Sequence, residues 1–293
     1  AFLDAYGRHF GDSLAKVAQL LAPEIYEAKD HVRYSGAITS ARGFKARLAA
    51  WAMRIYGFRQ VKVKVGMAGY DDAARLRIIR GRVGENLDLR VDANEAWSLE
   101  QAVKCIRDLE EFSISSVEQP LSHSSAAVLP ELRRAVTVPI MLDESLCGQV
   151  DAERAIAGQW CDLFNIRLSK CGGFIPSLRL VQRAYQHGLG CQLGCQVGES
   201  AILSAAGRHF ACAVVGLRYL EGSYDRHLVR QALGTRDLTF GWGGRAPALA
   251  GAGLGVEVDP VALERVTIKK ERLILRLENC GQIARMKHGI VFH

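Results

Sequence analysis

The strongest constraint in this chain is a rhythm. Short runs of β-branched and apolar residues recur along it, each followed by a longer amphipathic stretch, the pattern of a parallel α/β fold. The strand-like runs are residues 33–38, 60–65, 87–92, 116–118, 140–143, 163–167, 190–193 and 219–222, eight in all. Between them lie helical signals. Leu48, Trp51, Ala52 and Ile55 recur at helical spacing before Gly57, a natural stop, and predict an apolar helix face. Ser98 with Gln101 forms a capping-box pattern opening a helix that runs to about Phe112. Ile202, Leu203, Ala206, Phe210 and Ala213 mark another apolar face. Eight alternations within about 190 residues predict a closed (β/α)₈ barrel of TIM type more than an open sheet. No strand is followed by a GxGxxG fingerprint, which disfavours a dinucleotide fold.

Three segments follow from this reading. Residues 33–225 form the barrel. Residues 1–32 precede it and read as two helices, 1–10 and 13–21. Residues 226–293 are a Gly-rich tail with a β-like run at 272–277. The tail's Gly251-Ala252-Gly253-Leu254-Gly255 is not followed by a helical pattern, so a turn is expected there and not a phosphate cradle.

In such a barrel, chemistry belongs at the C-terminal ends of the strands. Five strands end in charged or amide groups where apolar residues would pack better. They are Val61-Lys62-Val63-Lys64-Val65, Val91-Asp92-Ala93-Asn94, Val117-Glu118-Gln119, Leu142-Asp143-Glu144-Ser145, and Asn165-Ile166-Arg167-Leu168-Ser169-Lys170. Asp92, Glu118 and Asp143 are spaced 26 and 25 residues apart, one βα unit each. Equal depth on neighbouring strands would bring three carboxylates to one point, and buried carboxylates need a cation. Three oxygens with room for water and substrate suit Mg²⁺, with Mn²⁺ as the alternative. Singly, each acid would read as a helix cap or a solvated loop residue.

Lys62 and Lys64 lie on one side of their strand, because side chains alternate. Two ammonium groups aimed inward are expected to depress each other's pKa, and a lysine so tuned serves as a general base near neutral pH. Asn94 and Asn165 read as groups that orient ligands. Glu144, Glu199, Glu221 and Asp225 are weaker candidates near the mouth. For Glu221 and Asp225 a loop salt bridge is an equal alternative. None of the eight histidines falls at the end of a predicted strand, which leaves a histidine base unsupported.

Bulk properties exclude other classes. The 293 residues are 49% hydrophobic and 24% charged, ordinary for a globular chain. No apolar run approaches a membrane span and no signal peptide opens the chain, so a cytoplasmic protein is expected. The formal charge of +7 is dispersed; its densest run, Lys269-Lys270-Glu271-Arg272, is broken by an acid, so no nucleic-acid surface is expected. Eight scattered cysteines read as reduced thiols, and Cys191 with Cys195 lacks the partners of a zinc set.

At these residues the chain resembles the enolase superfamily, in its muconate-lactonizing (mandelate racemase/muconate lactonizing enzyme) subgroup. The resemblance rests on Lys62-Val-Lys64, Arg90-Val-Asp92-Ala-Asn94, Val-Glu118-Gln-Pro120, Leu-Asp143-Glu144-Ser145, Lys170-Cys-Gly172-Gly173 and Gly253-Leu-Gly255, in the right order over nearly the whole chain. It implies a (β/α)₇β barrel with an α+β capping domain, of which this chain would carry remnants. It also implies Mg²⁺ on Asp92, Glu118 and Asp143, Lys64 as the acid/base and Lys62 as its electrostatic partner. Glu199 matches an acid often found after strand seven. The chain begins where the capping domain of such proteins should be ending, so an upstream segment of about one small domain is expected.

One departure bears on the chemistry. The subgroup usually carries a second catalytic lysine 24 residues after the third metal ligand, and that position is Arg167 here, with Lys170 matching the non-catalytic lysine. Arginine is a poor base and a good planar cation. The leading expectation is therefore a metal-dependent enzyme that removes the proton α to a carboxylate and stabilises an enolate. A cycloisomerase or a lyase of the o-succinylbenzoate synthase type comes first, with Lys64 as the acid/base and Arg167 as a fixed cation. The alternatives are an epimerase or racemase of dipeptides or N-acyl amino acids, and a catalytically inactive ligand-binding barrel. The expected partner is a small carboxylate, and a homo-oligomer is compatible with the sequence.

Overall fold

A computed structural model of the chain describes residues 1–199, 201–229 and 232–267. Its strands are β1 (His31–Arg33), β2 (Gly36–Ile38), β3 (Gln60–Lys64), β4 (Asp88–Asp92), β5 (Ile114–Glu118), β6 (Ile140–Leu142), β7 (Leu163–Ile166), β8 (Gly190–Leu193), β9 (Leu217–Leu220) and β10 (Arg245–Pro247). Strands β2 to β9 form one parallel sheet in sequential order. Its edges meet where the Ser35 N–H donates to the Leu220 carbonyl at 2.8 Å. A principal helix follows each of the first seven sheet strands: Gly43–Ile55, Asp72–Val83, Leu99–Glu110, Leu129–Ala135, Gln149–Ala157, Phe174–Gln186 and Ala201–Ala213. Among the described residues this is a (β/α)₇β arrangement of TIM type, close to the expected rhythm.

The run expected as one first strand, 33–38, is divided between two sheets. Arg33 ends β1, which pairs antiparallel with β10 in the tail, and β2 begins only at Gly36. The change of partner occurs at Tyr34, whose N–H donates to the Gly244 carbonyl at 2.8 Å before Ser35 turns to the barrel. Helices Phe2–Phe10 and Ala15–Leu21 lie before the barrel, with Ala18 and Ala22 buried. The expected β-like run 272–277, the basic cluster at 269–272 and Cys280 lie outside the described residues.

Helix starts follow local chemistry. Ser98 and Gln101 make both bonds of a capping box, and Asp71 caps its helix by accepting from the Ala74 N–H at 2.9 Å. The helix 43–55 ends before Gly57, which has φ +77°. Its expected apolar face is overturned. Ala46 and Ala50 are buried, whereas Leu48, Trp51, Ala52 and Ile55 face outward, with Trp51 55% exposed. Small residues let this helix lie close to the sheet and its neighbour, and the large stripe turns away. The face expected on 201–213 is also rotated: Phe210 and Ala213 are buried, but Ser204, Ala205 and Arg208 share that side while Ile202, Leu203 and Ala206 are half-buried.

Arg208 ties the tail to the barrel. Its guanidinium donates to the Tyr34 hydroxyl at 2.8 Å, Ser223 at 2.9 Å, and the carbonyls of Leu238 and Pro247 at 2.8 and 3.0 Å. A short helix, Pro260–Val266, does follow the 251–255 turn, contrary to expectation, although Asp259 caps it. The Leu254 N–H of that turn is taken by Asp4 at 2.7 Å, so the chain's own carboxylate occupies it.

Gly244 makes the tightest of these joins, at φ +73° and so close to Tyr34 that a Cβ in its place would overlap the Tyr34 carbonyl oxygen. Gly244→Ala is expected to lose about 2 kcal/mol or more in urea unfolding. Gly69→Ala, at φ +75° in open space, should lose only about 1 kcal/mol. Equal losses would show that the close approach to Tyr34 contributes nothing.

Candidate active site

The barrel register sets the site. Lys64, Asp92 and Glu118 are aligned partners on β3, β4 and β5, each the last residue of its strand, and Asp143 stands one residue beyond β6. The three carboxylates are buried, none more than 1% exposed. Val61 and Val63 fill the opposite face of β3, so Lys62 and Lys64 point inward as the alternation requires.

Lys62 is the centre of the charge cluster. Its ammonium lies 3.2 Å from Asp92, 3.2 Å from Glu118 and 2.8 Å from Glu221. Glu221 also accepts from Arg90 at 2.7 Å, beneath the acids. It is thus an internal ion-pair member and neither a loop salt bridge nor a free mouth residue. Burial works against the Lys62 charge, but Glu118, Glu221 and Asp92 outweigh it and raise its pKa well above the ordinary lysine value. The mutual depression expected for the two lysines therefore fails at Lys62, because three carboxylates outweigh any like charge there. Burial alone would raise the Glu221 carboxyl, but Lys62 and Arg90 hold it down at about 2. Burial pushes Glu118 up in spite of Lys62.

Lys64 is differently placed. Its ammonium donates to the Asn94 amide oxygen at 2.6 Å, and it makes no ion pair among the described residues. Asn94 in turn reaches Glu144 at 3.3 Å, and its N–H donates to Asp92 at 3.1 Å. Asp143 is held by Arg167 through one carboxylate oxygen and by Lys170 at 2.6 Å through the other. Arg167 also lies 3.8 Å from Glu118. Asn165 donates to Glu118 at 2.7 Å. Glu199 stays in its loop, accepting from the Gln196 N–H at 2.7 Å, and Asp225 accepts from Ser204 at 2.8 Å; neither joins the acids.

Several groups in the site take roles that no motif assigns. Gln119, at φ +38°, accepts from the N–H groups of Asp143 and Ser145 at 2.9 and 3.1 Å and donates to Ser145 and the Leu121 carbonyl, fixing Asp143 against β5. Gln192 reaches Glu118 at 3.4 Å. Arg75, buried on the following helix, donates to the carbonyls of Thr39 and Lys64, just past β2 and at the end of β3, and to that of Ala41 at 2.7 Å. An inward residue on a strand, or a polar residue on a buried helix face, is the pattern that could have found Gln192 and Arg75.

A cavity of about 340 Å³ opens over Lys62, Lys64 and Asp92, walled by Ile38, Val197, Tyr224 and Leu228. The donor set fits a hard divalent cation in kind: three buried carboxylates, ringed by buried oxygens of Glu144, Asn165 and Gln192 that have no hydrogen-bond partner. Among the described residues, however, no three acidic, histidine or cysteine side chains are drawn together tightly enough to hold a metal. The three acids are instead paired with the chain's own Lys62, Arg167 and Lys170.

A family model, Enolase C-terminal domain-like, matches residues 45–262. The chain belongs to this family. Among curated relatives, a D-Ala-D/L-Ala epimerase of Cytophaga hutchinsonii is 36% identical over 228 residues, covering 76% of this chain and 61% of the relative. A hydrophobic dipeptide epimerase of Enterococcus faecalis is 38% identical over 157 residues, covering 54% of this chain and 44% of the relative. The chain thus spans between less than half and about three-fifths of these proteins. Among solved structures, the Cytophaga hutchinsonii dipeptide epimerase, complexed with Mg and D-Ala-L-Val, superposes with a TM-score of 0.82 at 29% identity, covering 90% of this chain and 70% of that one. A muconate lactonizing enzyme from Mucobacterium Smegmatis gives 0.81 at 25% identity, covering 90% and 72%. The family is the one that the motifs resemble. No described helix is long and apolar enough to cross a membrane.

The ion pairs of Glu221 make a pH prediction. A carboxyl held down at about 2 in the fold, against 4.5 ordinarily, stabilises fully above the higher value and loses that contribution as pH falls toward the lower. Glu221→Gln is expected to cost roughly 3 kcal/mol at neutral pH, because it leaves buried cations short of a partner. The gap to wild type should narrow as pH drops below about 4.5 in urea unfolding curves. A gap independent of pH would remove Glu221 as the charged partner.

Proposed function

We propose that this chain carries the site of an enolate-forming isomerase acting on a small carboxylate of the dipeptide or N-acyl amino acid type, with Lys64 as its base. The observation that supports this most directly is the contrast between the two lysines. Lys62 is bound by three carboxylates and stays a cation, whereas Lys64 faces the cavity with a neutral amide as partner. Only the second is free to exchange its proton with a substrate.

On this reading Asp92, Glu118 and Asp143 hold Mg²⁺, which supplies positive charge to the substrate carboxylate as the enolate develops. Lys64 removes the proton from the α-carbon. Lys62 keeps a fixed positive charge beside the developing anion. Asn94 orients the Lys64 ammonium and links it to Glu144. Ile38, Val197 and Leu228 give one side of the cavity an apolar wall.

Arg167 follows β7, four strands round the barrel from β3 and so across the site from Lys64. A guanidinium cannot take a proton there. Epimerisation is supported by the names of the curated relatives, and it replaces the cycloisomerase or lyase reading as the first choice. That one-base reading stands second because Arg167 favours it. Where inversion occurs, the returning proton on the Arg167 side comes from water or substrate.

Incubating a dipeptide panel with Mg²⁺ in D₂O and following the α-proton by NMR tests both. Deuterium incorporation with inversion at the α-carbon is expected. Incorporation without inversion would favour the one-base reading. Lys64→Ala should slow exchange by about 10³-fold; an unchanged rate would remove Lys64 as the base.

A further inference from the structure

Arg167 sits in an unusual place for a group with no proton to give. It is the first residue past β7, two residues beyond Asn165, which continues the register opposite Asp143, and its long side chain reaches back to that acid. Its Nη2 contacts Asp143 Oδ2 and lies 3.8 Å from Glu118 Oε1. It thereby bridges two of the three carboxylates assigned to the metal. The contact is one-armed: Nε is buried without a partner, and Nη1 reaches Gln196 only at 3.5 Å. A built arginine–carboxylate pair is usually a two-bond fork, so this arrangement leaves hydrogen-bonding capacity unused.

Resting on the metal reading above, we infer that Arg167 is an internal counter-cation of the acidic cluster, competing with the divalent metal for Asp143 and Glu118. A carboxylate that ligates a metal still accepts hydrogen bonds, but a full positive charge against Asp143 and near Glu118 opposes a divalent ion there. A lysine there could yield by losing its proton, whereas an arginine stays charged and is relieved only by moving away. The loop that follows β8 offers it a place. Gln196 in that loop carries an amide oxygen 3.5 Å from its outer nitrogen. Repulsion from a bound divalent ion would therefore favour a swing of Arg167 toward that loop. The site then holds the metal less tightly than its three carboxylates alone would, and loading brings a second cation out over the cavity.

The test is titration of the purified chain with MgCl₂ by calorimetry, with no substrate present. Arg167→Ala and Arg167→Gln, the second keeping a donor for Asp143, should each bind Mg²⁺ about tenfold tighter than wild type or more, given the strength of a contact pair at reduced dielectric. Lys64→Ala removes a like charge from the same cavity without uncovering a carboxylate, and should change affinity by less than about threefold. Millimolar guanidinium chloride should weaken binding again in Arg167→Ala, where potassium chloride at equal ionic strength does not. If both Arg167 variants bind no tighter than Lys64→Ala, the competition is overturned while the metal reading stands. If Asp143→Asn and wild type alike bind no Mg²⁺, and neither Arg167 variant does, both fail together.

Discussion

The site depends on one buried ammonium. Lys62 stands between Asp92, Glu118 and Glu221, three acids from separate strand ends that could not otherwise be buried side by side. Like charges within a few ångströms in a low-dielectric interior repel by several kcal/mol each, roughly 4 kcal/mol at an effective dielectric of 20. The Lys62 charge offsets that repulsion and is itself fixed by it. Arg90 completes the arrangement from below by sharing Glu221. Two cations and three anions are thus packed as a neutralising unit, with a net negative remainder directed at the mouth.

Much of the fold was legible because its determinants are local and periodic. Each of the eight barrel strands lies at or within a few residues of its expected position, and the Ser98 cap forms as its sequence pattern requires. The helix 43–55 buries a different face from the one its large apolar residues predict, for a physical reason. A strand layer already covered by valine leaves little depth, so Ala46 and Ala50 face inward and larger residues at the same period turn to solvent. Hydrophobic spacing reports an apolar stripe, but the packing distance decides which stripe is buried. The divided first strand escaped for a related reason: β1 pairs with a tail segment some 200 residues away while β2 pairs with its near neighbour β3, and no local pattern encodes that division.

The acids and lysines were legible as residues at strand ends, since the parallel register aligns Lys64, Asp92 and Glu118 without further information. How their partners hold them was not. Gln119 holds Asp143 through a backbone turned to positive φ, and Glu221 comes from the far edge of the closed barrel. Closure brings the last strand round to the first, and Arg90, buried on β4 two strands further on, reaches Glu221 although the two lie 131 residues apart. The expectation that two lysines would depress one another used only their spacing along β3. The carboxylates that reverse it arrive from other strands.

Three cations in the mouth differ chiefly in what faces them. Lys62 has three carboxylates, Lys64 a neutral amide, and Arg167 two carboxylates with no means of shedding its proton. Under the proposed chemistry these differences divide the labour: a fixed charge, an exchangeable proton and a displaceable charge. Since β3 and β7 stand opposite in the barrel, proton exchange is confined to one side and charge movement to the other. A substrate held between them meets a base on a single face, so inversion at its α-carbon depends on a proton arriving beside the guanidinium. Under that proposal the stereochemical outcome would be decided on the Arg167 side of the site, more than by the three acids.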